Sequence, residues 1–316
     1  MLNAILVGSR FMQFAGALVL LGSSLFYVYG LKAIALPLPA LKRRQWPRQT
    51  LVLSALTAAA GTALWVMAST ALFSSEPKDA INLPAVWLVL SETRFGRACL
   101  WRLGLLLMSV AASCSIKRLK NLGGVQVTIG TLVIATFAWT GHAAMDSGWP
   151  GAIHVAGDVL HLWVAGIWIG ALLPLGVLIL GAVRSNKSDD ARAACYALDR
   201  FSAIGSVVIV SLVLSGLINS WFLIGLSNWL ALFTTDYGVA LLIKLALFAL
   251  MLVLAAVNRF RLVPRLRDEL EDRQDRSASV PLRALKTSVS IETALAALVL
   301  LAVGVLGTLA PPISGE

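Results

Sequence analysis

The chain has 316 residues, of which 58% are hydrophobic and only 13% are charged. A soluble domain usually carries about twice that share of charged residues, so this composition and a mean hydropathy of +0.83 exclude an ordinary soluble protein. Several apolar runs reach the roughly 20 residues that a helix needs to cross a bilayer. These runs are continuous rather than alternating, which excludes a β-barrel. The composition therefore predicts an all-α integral membrane protein.

The net charge of +10 would also suit a protein that binds nucleic acid. However, the basic residues lie in the connections between apolar runs, as the positive-inside rule requires. We therefore expect these basic residues to interact with membrane lipid and not with nucleic acid. The cysteines Cys99, Cys114 and Cys195 form no CxxC pair and no disulfide framework, so they are expected to be packing residues.

Eight apolar runs predict eight transmembrane helices. The first ten residues, with Arg10 as their one charge, precede the first run. A segment at 84–90 is too short to span and is expected to lie at the membrane interface. Small residues in the fifth run, among them Gly166 and Gly170, are expected to let neighbouring helices approach closely. The predicted helices are residues 11–36, 50–73, 95–116, 123–141, 152–181, 201–226, 237–260 and 288–310.

The connections that follow the first, third, fifth and seventh helices are rich in Lys and Arg, whereas the others carry few. The positive-inside rule places the basic connections in the cytoplasm, so the N and C termini are both predicted to be periplasmic. The most basic connection, residues 259–287, is predicted to be an amphipathic or solvated cytoplasmic loop rather than a domain. The whole chain, 1–316, is thus expected to form a single polytopic membrane domain.

All three histidines of the chain lie between positions 142 and 161. His154, Asp158 and His161 are spaced i, i+4 and i+7, which places them within about 60° of one another on one helical face. They occupy the first turns of the predicted fifth helix, and His142 and Met145 follow the fourth helix at the same level. We therefore expect these five side chains to lie close together near the periplasmic surface.

The residue types in this group are those of a metal site. Imidazole suits copper, zinc, nickel and iron, and a thioether such as that of Met145 favours Cu(I). Asp158 would act either as a further ligand or as a hydrogen-bond partner that orients a histidine. The alternative is a set of interfacial histidines that bond to loop carbonyls or to Asp146.

Other polar residues fall inside predicted helices at the same depth as the histidines, where they are costly and indicate function. Lys244 lies in the seventh helix, Asn219 in the sixth and Arg102 in the third. Together they predict a polar layer in the outer leaflet. Within it, Asp158 and Lys244 are a candidate ion pair. For this pair we favour a structural role over a role in transport.

One acidic residue falls on the cytoplasmic side. Glu292 is expected to lie about one turn into the eighth helix, beside Asn258 and Arg259. An ion pair between Glu292 and Arg259 is the expected arrangement, and an inner gate is the alternative.

Four segments carry a family likeness when they are taken together. They are HLWVAGIWIGALLPL (161–175), YGVALLIKLALFALMLVLAAVNRFRLVPRL (237–266), RFSAIGSVVIVSLVLSGLIN (200–219) and GTLAPP (307–312). Their sequences and their order resemble the copper resistance protein D family, and the resemblance spans nearly the whole chain.

The resemblance implies a multi-pass protein of the bacterial inner membrane, with about eight helices, that moves copper from periplasm to cytoplasm. A copper ion is then the expected cofactor or cargo, and His142, His154 and His161 correspond to the outer-face histidines of the family. Members work with a small periplasmic copper-binding protein, which is fused to some of them. Since this chain has no such fused domain, a separate CopC-like partner is expected.

The chain contains no Gly-rich phosphate loop that ends in Gly-Lys-Ser/Thr and no large soluble loop, so it is not predicted to be an ATPase or another enzyme. Any transport would be downhill or coupled to an ion gradient. A haem- or quinone-linked redox protein is the first alternative, because two histidines on facing helices can hold a haem. Residues i and i+7 of one helix cannot do so, which leaves His142 with His154 or His161. A non-transporting copper sensor or assembly factor is the second alternative.

Overall fold

The computed structural model describes residues 2–29, 46–142, 147–225, 228–272 and 279–312. Within these ranges there is no strand, and eight helices are long and apolar enough to cross a membrane. This confirms the predicted all-α fold. The spanning helices are α1 (Leu2–Tyr29), α2 (Trp46–Ser74), α3 (Arg94–Ser115), α4 (Leu119–Ala138), α5 (Gly148–Ser185), α6 (Ser188–Leu223), α7 (Asp236–Val257) and α8 (Ser279–Leu306).

Two short helices, Pro77–Ile81 and Leu83–Glu92, connect α2 to α3, where the sequence predicts an interfacial segment. Thr93 then caps α3: its Oγ1 accepts a hydrogen bond from the Gly96 amide at 2.8 Å. Threonine is favoured at this position because its oxygen satisfies one of the free amides of the first turn. The cap fixes the residue at which α3 begins.

Large apolar side chains cover the outside of the bundle. Trp101, Leu217 and Val253, for example, are 73%, 62% and 60% exposed. In the hydrocarbon of a bilayer these side chains face lipid, and the backbone polar groups beneath them are satisfied within each helix. The exposed surface is therefore that of a membrane protein.

Helix α1 lies at the centre of the bundle, in contact with α2, α4, α5 and α8. Glycines let α1 and α5 approach each other closely, as small residues do between membrane helices. A Cβ atom on Gly22 would lie 2.2 Å from the Gly166 carbonyl oxygen, and one on Gly170 would lie 2.1 Å from the Leu18 carbonyl oxygen. The close approach expected at Gly166 and Gly170 is therefore confirmed.

Helix α6 begins at Ser188 rather than at position 201. Its added turns are amphipathic, because Ala194 and Leu198 are buried in one apolar cluster with the end of α5. The predicted connection after the fifth helix is therefore reduced to Asn186 and Lys187. Asn186 adopts the left-handed conformation, with a φ of 54°, and ends α5.

The other large differences from the predicted helix starts are in α1, which begins at Leu2, and in α8, which begins at Ser279. Arg10 consequently lies about two turns inside α1, and Glu292 lies nearly four turns inside α8 rather than one. Hydropathy marks the part of a helix that lies in hydrocarbon, whereas these first turns carry polar residues. The same cause explains the early start of α6.

The segment 259–287, predicted as a loop, is largely helical where the structure describes it. Helix α7 continues through a π-helical turn, Asn258–Leu262, into a helix, Val263–Asp272. Leu266 and Leu270 of that helix are buried, while its charged residues lie mostly on the other side. The helix is amphipathic, which agrees with the character expected of this segment. The stretch between it and α8 lies outside the described residues.

We predict that Gly170→Ala destabilises the fold, because the added Cβ would lie 2.1 Å from a backbone oxygen, that of Leu18. Overpacking of this kind costs about 1–3 kcal/mol, so the midpoint of thermal unfolding in detergent should fall. Gly181→Ala in the same helix is the control, since a Cβ there meets nothing within 4 Å. Equal midpoints for the two variants would contradict the close packing of α1 on α5.

Candidate functional site

A cavity of about 350 Å³, here called the histidine cavity, lies towards one end of the bundle. The first halves of α1, α5 and α7 meet there with the last parts of α4, α6 and α8. His142, His154, His161 and Asp158 all line it. The structure thus brings the three histidines to the same space.

Two of the histidines are held by neighbouring side chains of α6. His154 is 2% exposed and stacks on Phe222, with ring centroids 4.6 Å apart. His161 Nδ1 lies 3.0 Å from the Oγ atom of Ser215. These contacts fix the orientation of both rings. Ser215 contacts His161 through Nδ1, so the other ring nitrogen, Nε2, takes no part in that contact.

His142, between α4 and α5, has a different environment. Its ring lies edge-on to Tyr237, with centroids 6.2 Å apart, and its Nε2 is buried without a hydrogen-bond partner. The other ring nitrogen is bonded to the backbone of Leu306. Burial lowers the pKa of His142 below its ordinary value, and the positive charge of Arg10 acts in the same direction. A neutral imidazole anchored through one nitrogen in this way is the form that ligates a metal ion.

Among the described residues, no group of three or more His, Cys, Asp or Glu side chains lies close enough to hold a metal ion. The histidines therefore share a cavity but not a coordination sphere, which differs from the convergence expected from the sequence. Met145 and Asp146 lie outside the described residues. A copper ion in this cavity would draw on few protein ligands at one time.

Asp158 on α5 is hydrogen-bonded to a residue of α6. Asn219 Nδ2 donates to Asp158 Oδ1 at 3.3 Å, and Asn219 Oδ1 is buried without a partner. Lys244 lines the same cavity and acts on the carboxylate through its charge. The hydrogen-bond donor is nevertheless Asn219, so the expected Asp158–Lys244 ion pair is replaced by a looser electrostatic interaction.

Arg102 is fully buried behind the wall of the histidine cavity rather than in it. It donates to Gln13 Oε1 at 2.6 Å, to Thr136 Oγ1 at 2.8 Å, and to the Thr136 carbonyl and Thr140 Oγ1 at 3.0 Å. Its guanidinium carbon lies 3.7 Å from the centroid of the Phe137 ring. This residue of the predicted polar layer therefore joins α3 to α1 and α4.

Sequence reasoning misses Arg10, because it treats the first ten residues as a segment outside the first helix. Arg10 lines the histidine cavity, is only 9% exposed, and lies with its guanidinium carbon 5.0 Å from the centroid of the Trp65 ring. Its Nε is buried without a partner. The signal that would have found it is the spacing of Arg10 and Gln13 at i and i+3, which places two polar residues on one helical face.

A second cavity, of about 180 Å³ and here called the glutamate cavity, lies nearer the other end of the bundle. Glu292 is 2% exposed there. Its Oε1 accepts from Trp168 Nε1 at 2.7 Å and its Oε2 accepts from Asn258 Nδ2 at 3.2 Å. Arg259, the expected partner, instead donates to Ser206 Oγ at 2.5 Å. Glu292 lies deeper in α8 than predicted, and the expected ion pair is accordingly replaced by these two N–H donors.

Of the described residues, Trp168 alone borders both cavities. The ring is 3% exposed and packs edge-on against Phe248, with centroids 5.8 Å apart. Its N–H is occupied by Glu292. The indole of Trp168 thus lies at the boundary of both spaces.

We predict that Arg102→Met lowers the stability of the bundle, because Gln13 Oε1 and the Thr136 carbonyl would lose their donor. Each buried polar group left unsatisfied costs about 1–3 kcal/mol, so a loss of about 3 kcal/mol or more is expected in unfolding measurements in detergent. Arg97→Met is the matched control, since Arg97 lies on the same helix and is exposed. A change no larger than that of the control would show that Arg102 does not join the helices.

Comparison with known proteins gives two family matches. Residues 1–152 match the family described as "Copper resistance protein D-like, N-terminal domain", and residues 196–306 match the family described as "Copper resistance protein D". No solved structure matches the chain.

The chain is also similar to three named proteins. The chain is 31% identical to the copper resistance protein D of Pseudomonas syringae pv. tomato, over 96% of each chain. It is 31% identical to the inner membrane protein YebZ of Escherichia coli, over 72% of this chain and 73% of YebZ. It is 37% identical to the copper transport protein CutJ of Bacillus subtilis, over 38% of this chain and 21% of CutJ. From its eight apolar helices and these matches, the chain is a multi-pass inner-membrane protein that belongs to the copper resistance protein D family.

Proposed function

We propose that this protein moves copper from the periplasm to the cytoplasm, with the histidine cavity as the capture site and the glutamate cavity on the exit path. The observation that carries the proposal is the arrangement of two cavities towards opposite ends of the bundle, with Trp168 lining both. The names of the relatives, one a copper resistance protein and one a copper transport protein, support copper as the cargo.

The distribution of basic residues supports the direction. Arg184, Arg200 and Arg259 lie on the parts of α5, α6 and the π-helical turn that are nearest the glutamate cavity. The positive-inside rule assigns this end to the cytoplasm. The histidine cavity, at the other end, then faces the periplasm, where a separate CopC-like protein would supply the copper.

Capture depends on the imidazoles. The buried, unpartnered Nε2 of His142 offers a lone pair to the cavity, and His154 and His161 supply further nitrogens on its α5 wall. Asp158 assists by its charge, and Met145 would add a thioether that suits Cu(I). Because few of these groups bind at once, the ion is held weakly enough to move on, as conduction through a membrane requires.

Replacement of the histidines tests capture. In liposomes that contain the purified protein, His142→Ala and the double variant His154→Ala/His161→Ala should each lower the initial rate of copper uptake by at least about tenfold, since loss of a residue that only orients a metal ligand already lowers metal affinity or activity about 10- to 100-fold. Ile153→Ala, whose side chain is 54% exposed beside His154, is the control. Uptake that survives both variants in folded protein would rule out the histidine cavity as the entrance.

Replacement of Trp168 tests whether its ring separates the two cavities. Trp168→Ala should join the two cavities and raise passive leak of protons and copper through the liposomes, whereas Trp168→Phe keeps a ring in place and removes only the hydrogen bond to Glu292. A pH-sensitive dye inside the liposomes measures the leak. If the Ala variant leaks no more than the Phe variant, the ring does not separate the two sides.

A further inference from the structure

The wall of the histidine cavity that α1 supplies carries hydrogen-bond donors that have no acceptor. Arg10 Nε and Gln13 Nε2 are both buried without a partner, and both residues line the cavity. Arg10 is 9% exposed and Gln13 is 0% exposed. A buried donor without an acceptor costs about 1–3 kcal/mol. This wall is therefore arranged for a molecule or ion that accepts hydrogen bonds.

The orientation of the Gln13 amide is fixed by Arg102. Because an arginine only donates hydrogen bonds, the atom that lies 2.6 Å from Arg102 Nη1 must be the Gln13 oxygen. The Gln13 NH₂ group is thereby turned away from Arg102, and it is this group that has no partner. Arg102, which is fully buried behind the wall, thus orients the Gln13 NH₂ group as a donor to the cavity.

The charge of the cavity points the same way. The described lining residues that carry a formal charge are Arg10, Lys244 and Asp158, which leaves one positive charge in excess. Arg102 adds another directly behind Gln13. A bare copper cation would be repelled by this environment, since unit charges interact strongly where water is scarce.

We propose that the wall formed by Arg10 and Gln13 binds a small monovalent anion, of the halide class, that enters the cavity as a co-ligand of copper. The proposal rests on the proposed copper transport and names the form in which the cargo binds. The anion accepts hydrogen bonds from Arg10 Nε and Gln13 Nε2, while the copper ion binds the unpartnered Nε2 of His142, which lines the same cavity. A halide completes the coordination that the described side chains leave short, and it offsets the positive charge. Cu(I), a soft cation, accepts such a ligand readily.

The anion site can be tested without copper. The purified full-length protein in nanodiscs is titrated with sodium bromide against sodium gluconate at constant ionic strength, and tryptophan fluorescence is recorded, since Trp65 lies beside Arg10. We expect a saturable change. Arg10→Gln should weaken bromide binding by about tenfold, the effect of losing roughly 1.4 kcal/mol, whereas Arg97→Gln, an exposed arginine near the same end of the bundle, should leave it unchanged.

Gln13→Glu is the sharper variant. Its carboxylate keeps an oxygen for Arg102, so the buried bonding of Arg102 to α1 is preserved, but an acceptor replaces the free NH₂ donor. Bromide binding should be lost while thermal stability is retained. A non-saturable titration in the unmodified protein, or full binding in Gln13→Glu, would overturn the proposal.

Copper uptake into liposomes separates this inference from the proposed function. Faster uptake in chloride than in gluconate, with the difference removed by Gln13→Glu, is the expected result. If uptake is absent in both salts but bromide still binds, the transport proposal fails and the anion site stands. If uptake is equal in both salts and bromide does not bind, transport stands and the anion site is refuted.

Discussion

The close contact between α1 and α5 brings together two walls of the histidine cavity. Gly22 on α1 and Gly166 and Gly170 on α5 let the two backbones touch. As a result, the Arg10–Gln13 face of α1 and the His154–His161 face of α5 form walls of one cavity. Small residues at such a crossing allow this approach in a membrane, where no hydrophobic force drives helices together. The cavity also unites the two parts of the chain that match separate family descriptions, residues 1–152 and 196–306.

The second constraint is the cost of polar groups inside the bilayer. Arg102 offsets this cost with four hydrogen bonds and a contact with an aromatic ring. Glu292 offsets it with two N–H donors. For Arg10 the cost is not fully offset, because its Nε has no acceptor. Groups that are satisfied hold the helices together. Four of the unsatisfied polar atoms belong to residues that line the histidine cavity, namely Arg10 Nε, Gln13 Nε2, His142 Nε2 and Asn219 Oδ1, and we propose that a ligand binds there.

Much of the fold could be predicted from the sequence, because hydropathy reports directly on the hydrocarbon that each helix crosses. The number and order of the spanning helices follow from it, and so does the close approach at Gly166 and Gly170. Helix starts could not be predicted in the same way, since the first turns of α1 contain the charged Arg10 and those of α6 and α8 are amphipathic. That error displaced Arg10 from the membrane and placed Glu292 too near the surface.

The candidate site could be predicted from the sequence only in part. Spacing identified His154, Asp158 and His161 as one face, and these residues do line one cavity with His142. Spacing along a helix carries no information on which partner from another helix is nearer, so it favoured Lys244 over Asn219 for Asp158 and Arg259 over Trp168 for Glu292. The position of Trp168 on both cavities could not be predicted either, because a tryptophan in an apolar run is usually a packing or interfacial residue.

We propose that copper binds in the histidine cavity through imidazole nitrogen. X-ray absorption spectroscopy of the copper-loaded protein in nanodiscs tests it most directly, since scattering by the imidazole ring distinguishes histidine nitrogen from other light ligands. The account predicts imidazole scattering that decreases in His142→Ala. A spectrum without imidazole scattering, or one that this substitution leaves unchanged, would contradict it.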